Sequence, residues 1–465
     1  MSGGLGHVAV LGAGRSGQAA ARALAARQPR SLVVVEERDS DTTRAAAEAL
    51  RADGIAVVIG PDAATDLLRR DPRPDLVVTS PGVPQSHPLL AAGIPVWSEP
   101  ELAVRLNAGR TRLVAVTGTN GKTSTTELLG ACLDAPTAGN IGTPLVEVLA
   151  SPSPPPLVVA ELSSFQLKFT SRLRPEVAVL LNVAPDHLDW HGSLEDYGAA
   201  KARIWAAQHA TDTVVSNADD AGARAVVAAH PPPGLHVTFT LEPPGPDQVG
   251  VADGHLVARS LPGAEPVALV AVDDLAARGP HNLANALAAA AAALAAGAEP
   301  ASLAGPLTAF RPGPHRLEPV ATVAGVAYVN DSKATNPHAA AAALSSFERV
   351  VWIAGGLGKG LDFRSLRDVI AARVRAAVTI GSAGPAIAAV ARDAGVEVVE
   401  AGDLARAVPI AARLAAPGDT VLLAPACASM DQFRDYAERG QAFRDAVAAL
   451  APSASGRADD RGRRP

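Results

Sequence analysis

The stretch Leu113 to Thr125, LVAVTGTNGKTST, leaves a chain of this kind the fewest choices. A short apolar run, Leu113 to Val116, reads as a buried parallel strand. It breaks at Gly118 and Gly121, and a helix is expected from Thr123 onward. Strand, glycine turn and helix start, in that order, aim backbone N–H groups and the positive end of a helix dipole at one point. The two glycines let the backbone approach a phosphate with no Cβ in the way. Lys122 reaches terminal phosphates, and the Thr123 hydroxyl suits Mg²⁺. The general phosphate-loop spacing asks for a glycine where Val116 stands, so this is a shorter variant in which Gly118 makes the turn. An ordinary glycine turn is the competing reading. Gly-Lys-Thr opening a helix straight after a strand argues against it.

With 465 residues the chain has room for about three domains. Aromatic residues are 3% against 48% hydrophobic, so the cores must be built from Ala, Val and Leu. A net charge of -6 and no basic block argue against a nucleic-acid partner. Cys132 and Cys427 make no disulfide framework and have no metal-ligand spacing, which fits a reducing cytoplasm. The N-terminus lacks the basic region of a secretory signal, and the longest apolar tract, Ala286 to Ala296, is too short for a bilayer. No membrane insertion is expected, and a monomer is.

Only five of the 41 basic residues are Lys: Lys122, Lys168, Lys201, Lys333 and Lys359. Where Arg serves for generic charge, a remaining Lys is suspected of needing a compact or a deprotonated amine. Asn is sparse too, and Asn120, Asn140, Asn182, Asn282, Asn285, Asn330 and Asn336 all fall in segments with other signals.

The expected fold class is α/β: a Rossmann-like N-terminal unit (1–107), a central phosphate-loop unit on a parallel sheet (108–312) and a C-terminal Rossmann-like unit (313–451), with a disordered tail (452–465). In the first, His7 to Gly17 carries Gly12, Gly14 and Gly17 as G-x-G-x-x-G, and a strand 32–35 ends at Glu36 and Glu37. That pattern suits NAD(P), or any ligand with a diphosphate and a ribose. In the second, Gly139 to Gly142 makes a polar turn. A strand 157–160 runs into Glu161-Leu162-Ser163-Ser164-Phe165-Gln166, and a strand 177–183 into Asp186-His187-Leu188-Asp189. Acids and a His at strand ends beside a phosphate loop suggest Mg²⁺, with a solvated acidic loop as the alternative for Asp189 and His191. A helix 194–207 carries Lys201, the turn at Asp253-Gly254 reads as a hairpin, and His281 to Asn285 opens an Ala-rich helix. The third unit follows a Pro/Gly joint, FRPGPHRLE, and offers NDSKATN at 330–336, GGLGKG at 355–360 and PACAS at 425–429.

TGTNGKT, GNIG, ELSSFQL, LNVAPDHLD, HNLANALAA, RPGPHRLE, NDSKATN, GGLGKGLDF and LLAPACASMDQFRDYAERG together closely resemble the Mur ligases of peptidoglycan synthesis. The resemblance spans nearly the whole chain apart from the tail, and within the family it points to the branch that adds D-glutamate. It implies an ATP-dependent ligase acting on UDP-N-acetylmuramoyl-L-alanine through an acyl phosphate. The uridine diphosphate substrate would lie at Gly14, Arg15, Ser16, Glu36 and Ser80, with Asn140, Ser163 and Gln166 on its muramoyl-alanine part. ATP would meet Gly118, Thr119, Asn120, Gly121, Lys122, Thr123 and Ser124, with Asn285, Arg316, Asp331 and Lys333. Two Mg²⁺ ions would be held by Thr123, Glu161, His187 and a carbamylated Lys201; the implied catalytic residues are Lys122, Lys201 and His187. D-Glutamate would meet Lys359, Ser429 and Phe433. Rival readings are a sister Mur ligase or a folylpolyglutamate synthase-type amide ligase, an NAD(P) oxidoreductase resting on the first glycine turn, and a nucleotide-driven protein without ligase activity.

Overall fold

The computed structural model describes residues 5–259, 265–277 and 279–450; the tail expected at 452–465 lies outside the described residues. Three sheets follow one another along the chain. The first holds β1 (His7–Leu11), β2 (Ser31–Glu36), β3 (Ala56–Ile59), β4 (Leu76–Thr79) and β5 (Val96–Ser98). All five are parallel, in the order β3-β2-β1-β4-β5. The order reverses at β1, where a doubly wound sheet opens a crevice at its carboxyl end.

The second sheet contains β6 (Arg112–Thr117), β7 (Thr137–Gly139), β8 (Leu157–Glu161), β9 (Val177–Leu180), β10 (Thr213–Asn217), β11 (Leu235–Phe239), β12 (Gln248–Ala252), β13 (His255–Ala258) and β14 (Val267–Ala271). Its order is β14-β13-β12-β11-β10-β9-β6-β8-β7, so the phosphate-loop strand β6 lies between β9 and β8. From β7 across to β12 the strands run parallel, whereas β12, β13 and β14 form an antiparallel meander. The turn between β12 and β13 uses positive φ at Asp253 (49°) and Gly254 (72°), as an Asp-Gly hairpin turn requires. One face of this sheet packs on the helix Pro280–Ala295, whose buried side chains are mostly Ala, with Leu287 and Leu294; with so little bulk, the helix lies close to Val114, Val116 and Val179.

The third sheet has β15 (Glu318–Val323), β16 (Val326–Asn330), β17 (Val350–Gly355), β18 (Val374–Ile380), β19 (Glu397–Gly402) and β20 (Thr420–Leu423), in the order β15-β16-β20-β17-β18-β19. Only the edge strand β15 is antiparallel. The chain divides into two compact units: the first two sheets share one, up to Phe310, and the third sheet forms the other, from Arg311.

Some boundaries differ from expectation. The helix expected over 194–207 ends at Ala202 and tightens into a 3-10 turn, Arg203–Trp205. There the Arg203 guanidinium reaches back to the carbonyls of Leu167 and Thr170, which holds the chain off a further α turn. The strand expected over 177–183 stops at Leu180, because Leu181 and Asn182 turn to brace the phosphate loop. No helix among the described residues is long and apolar enough to cross a membrane.

Candidate active site

β6 delivers the chain into a tight loop, and Gly121 (φ 82°) starts the helix Lys122–Leu133 with no side chain capping it. The first N–H groups of that helix are therefore not spent on a cap. A methyl on Gly118 would come within 2.9 Å of the Leu181 Cβ, and one on Gly121 would collide with Asn285 Oδ1. Asn182 braces the loop from β9: its Oδ1 accepts from Asn120 N (2.8 Å), its Nδ2 donates to Asn120 O (3.1 Å), and its carbonyl accepts from Thr119 N (2.9 Å). Lys122 Nζ folds over the loop, donating to Gly118 O (2.9 Å) and Thr119 O (2.8 Å). Asn285, on the helix Pro280–Ala295, accepts from Thr125 Oγ1 at 3.2 Å, so it stands against the loop helix. Gly121→Ala is expected to raise the KM for ATP about tenfold or more, because a Cβ there is strained at positive φ as well as crowded. Steady-state kinetics and nucleotide-binding calorimetry check it; unchanged values remove the loop from ATP binding.

The register of β6 on β8 sets Val116 opposite Glu161, which brings a carboxylate to the end of the strand beside the loop. Thr123 Oγ1 donates to Glu161 Oε2 (2.6 Å) and Asn140 Nδ2 to Glu161 Oε1 (2.8 Å). Three residues singled out in sequence thus meet. Two hard oxygen donors side by side fit Mg²⁺. No group of three or more His, Cys, Asp or Glu forms a metal cluster among the described residues.

Lys201 is buried, and its Nζ donates to Gly118 O at 2.8 Å, the same carbonyl that Lys122 uses. Its Nζ lies 4.3 Å from the centroid of the Tyr197 ring, and Tyr197 Oη is 3.2 Å from Thr119 Oγ1 in the loop. Burial first, and the neighbouring Lys122 second, hold the Lys201 amine well below the usual lysine range, against the opposing pull of Asp186. His187 adopts φ 53°, with Nδ1 3.7 Å from Asp186 Oδ1 and its ring 4.8 Å from that of Phe165. His191 is buried among Phe165, Trp190 and Tyr197, with Nε2 3.0 Å from Ser164 Oγ. Burial first, then Lys201, pushes its pKa down to about 4, so it is a neutral packed imidazole at neutral pH. Asp189 is exposed.

In the first sheet, Gly12 (φ 92°) turns the chain after β1, and Gly14 starts the helix Arg15–Ala25 with no side-chain cap. Arg15 is exposed and Ser16 half-buried. Glu36 braces the turn: it accepts from Ala13 N (2.9 Å) and Arg38 N (3.0 Å), while Ser80 Oγ lies 3.5 Å from Gly12 O. Ser163 and Gln166 form a capping box on the helix Ser164–Lys168, Gln166 Oε1 accepting from Ser163 N at 2.9 Å; the buried Gln166 Nε2 has no partner among the described residues.

In the second unit, Asp331 is buried and accepts from Leu317 N at 3.1 Å. Burial pushes its pKa up to about 7, against the backbone donor and Arg316. Lys333 Nζ sits 3.9 Å from the Tyr436 ring centroid. Lys359 is exposed at φ 46°, Ser429 is buried and Phe433 half-buried. Arg439, from the helix Tyr436–Ala448, was not singled out in sequence, yet it is fully buried. It donates to Ser332 Oγ (3.0 Å), Ser332 O (2.9 Å) and Cys427 O (3.1 Å), with Gly355 O and Ala428 O at 3.5 and 3.4 Å. Burial brings its pKa down to about 10. Arg439 lies inside the stretch 422–440 that carries the family resemblance, but in a chain rich in Arg nothing singled it out within that stretch. Asn182 carried the signal of rarity and a place in LNVAPDHLD, and Tyr197 was not singled out.

A phosphate loop on a parallel sheet, with a carboxylate and a buried lysine beside it, defines a nucleotide-using α/β enzyme. Residues 116–293 match the family model of the Mur ligase middle domain, and residues 315–427 that of the Mur ligase, glutamate ligase domain. The chain belongs to the Mur ligase family. It is 51% identical to the UDP-N-acetylmuramoylalanine--D-glutamate ligase of Frankia casuarinae, covering 95% of this chain and 94% of that one. It is 43% identical to the ligase of the same name from Thermobifida fusca, covering 96% and 98%. Among solved structures, the MurF ligase from Thermotoga maritima in complex with ADP superposes with a TM-score of 0.56 at 17% identity, covering 90% of this chain and 96% of that one, a likeness of fold.

Proposed function

We propose that this chain is an ATP-dependent ligase that adds D-glutamate to UDP-N-acetylmuramoyl-L-alanine in peptidoglycan precursor synthesis. The observation that carries the reading is the match, nearly end to end, to relatives of that name at 43% and 51% identity. In this reading the substrate carboxylate attacks the γ-phosphorus of ATP, ADP leaves, and an acyl phosphate forms. The amine of D-glutamate then attacks the acyl carbon, losing a proton as phosphate departs. Lys122 and the loop N–H groups hold the phosphates and offset charge that builds on the transferring group. The first glycine turn, with Gly14, Arg15, Ser16, Glu36 and Ser80, takes the uridine diphosphate. Asn140, Ser163 and Gln166 position the muramoyl-alanine, and the bare Gln166 amide is a donor of the right kind. Asn285, Arg316, Asp331 and Lys333 handle ATP; Lys359, Ser429 and Phe433 take D-glutamate.

Thr123 and Glu161 are assigned to one Mg²⁺, and His187 with a carbamylated Lys201 to the other. Bound Mg²⁺ supplies Lewis-acid stabilisation of the phosphoryl oxygens. Lys201 suits carbamylation because its lowered pKa favours the unprotonated amine that attacks CO₂: an N–C bond forms, a proton leaves, and an anion replaces the amine beside Lys122. The enzyme is further assigned to the cytoplasm as a monomer.

The test is an ADP- and phosphate-release assay with ATP, Mg²⁺, the muramoyl-alanine nucleotide and a panel of amino acids. D-Glutamate is expected to be the preferred amine. Faster turnover with L-alanine or meso-diaminopimelate, or hydrolysis independent of any acceptor, overturns the assignment.

A further inference from the structure

We infer that Asn330, which touches no substrate, is the positioning residue that keeps Arg316, Asp331 and Lys333 in register, by fixing the neighbouring His315 as its Nε2–H tautomer. The inference rests on the assignment of those three residues to ATP. Asn330 ends β16 and is 0% exposed, so nothing but protein reaches its side chain. Its partners settle which end of the amide is which. Ser332 N can only donate, and it donates to Asn330 Oδ1 at 3.1 Å. Gly440 O can only accept, and it faces Asn330 Nδ2 at 3.2 Å, with Glu318 Oε2 at 3.1 Å. The nitrogen end is therefore the one 2.9 Å from His315 Nδ1. That ring nitrogen must present its lone pair, which places the His315 proton on Nε2.

Three segments meet at this amide: 315–318, the loop after β16, and the helix Tyr436–Ala448. The first is the least comfortable backbone of the unit, since His315 (φ 64°) and Leu317 (φ 45°) are both non-glycine residues in the left-handed region. Such a segment persists only where its surroundings over-determine it. Here Lys333 N donates to His315 O (3.2 Å), Leu317 N to Asp331 Oδ1 (3.1 Å), and His315 N to Glu318 Oε2 (2.9 Å). Gly440 has no room for a methyl group because the His315 ring fills the space. The residue between the two strained positions is Arg316. If the His315 ring turns, Arg316 moves relative to Asp331 and Lys333. The charged groups facing the ring are Glu318 and Arg316 from its own segment, with Asp435 and Arg444 from the last helix and its cap. Burial and the two arginines oppose a proton on the ring, whereas Glu318 and Asp435 favour one.

Asn330→Asp keeps the shape and replaces the donor by an acceptor. The introduced carboxylate faces a lone pair, a second carboxylate and a carbonyl, unless His315 takes another proton, on Nδ1, and donates. In the full-length enzyme, the variant is expected to raise the KM for ATP about tenfold near pH 8.5 and to recover most of that near pH 6. Asn330→Ala is expected to show the same loss with no recovery beyond the pH dependence of the wild type, in which Asp331, pushed up to about 7, titrates within that range. A wild-type KM for ATP in Asn330→Asp overturns the inference. So does an equal rise in the KM for D-glutamate, which general loosening of the unit would give. A second measurement needs no turnover: ¹⁵N NMR of histidine-labelled wild-type enzyme, with His315 assigned by its loss in His315→Gln. It is expected to show Nδ1 bare and Nε2 protonated near pH 7.5; the other tautomer, or the cation, overturns the inference. Failure of the wild type to use D-glutamate would sink the proposed function but leave this tautomer measurement standing, so the two failures are separable.

Discussion

Lys201→Met is expected to abolish ligase turnover, by a factor on the order of a thousand or more, while making the folded chain more stable. The two effects have one cause. Lys201 is a fully buried amine that shares the Gly118 carbonyl with Lys122. Burial and Lys122 lower its pKa in the folded state below the unfolded value of 10.5. Between those two values the unfolded chain binds the extra proton, so stability rises with pH through that window and is lower at neutral pH. Met fills similar volume without an amine to desolvate and removes that dependence. Thermal melts in CO₂-free buffer are expected to show the variant above the wild type at pH 7, with the gap closing toward pH 10. Added bicarbonate is expected to raise the melting point of the wild type alone, since a ligand that binds only the folded state stabilises it. Lys201→Arg is expected to be as inactive as Met, because a guanidinium forms no carbamate. An active Arg variant would overturn that role.

Lys122→Met is expected to cost at least about two powers of ten in turnover, with a smaller effect on ATP binding. Its ammonium arches over the loop between the carbonyls of Gly118 and Thr119, held where a phosphate would lie against the uncapped start of the helix Lys122–Leu133. A point charge there matters most as negative charge spreads over the transferring group. Phosphate release under saturating substrates reads the effect, and near-normal turnover would exclude the assigned role.

The elements most legible in sequence are those whose chemistry is local. Gly118, Gly121 and Lys122 announce a strand, a turn and a helix start together, and Asp253-Gly254 announces a hairpin by its backbone needs alone. The scarcity of Lys pointed to Lys201 before any environment was known, and the structure places it fully buried with its pKa lowered. Other features depend on partners far along the chain. β7 is three residues long and has no period to read; it exists because β8 offers it an edge. Glu36 was read at the end of a strand where a dinucleotide fold places its ribose acid; its burial and its bonds to Ala13 and Arg38 could not be read, because they arise only once β2 lies beside β1. The tie between Asn182 and Asn120 spans 62 positions. Asn330 drew notice for its rarity and as the first residue of NDSKATN, with no role attached. Its role lies in three segments, one of them more than a hundred residues away.

Arg439 has a consequence for how the polypeptide matures. It is a buried cation with no ion-pair partner among the described residues, held instead by oxygens at the ends of β16, β17 and β20. Synthesis delivers β16 and β17 well before the arginine, and β20 shortly before it. Until the final helix emerges, several carbonyls destined for a dry interior have nothing to bond, at about 1–3 kcal/mol each. A chain cut before Tyr436 therefore lacks the donors those oxygens need, and it should be handled by quality control as an incomplete domain rather than as a slightly shortened enzyme.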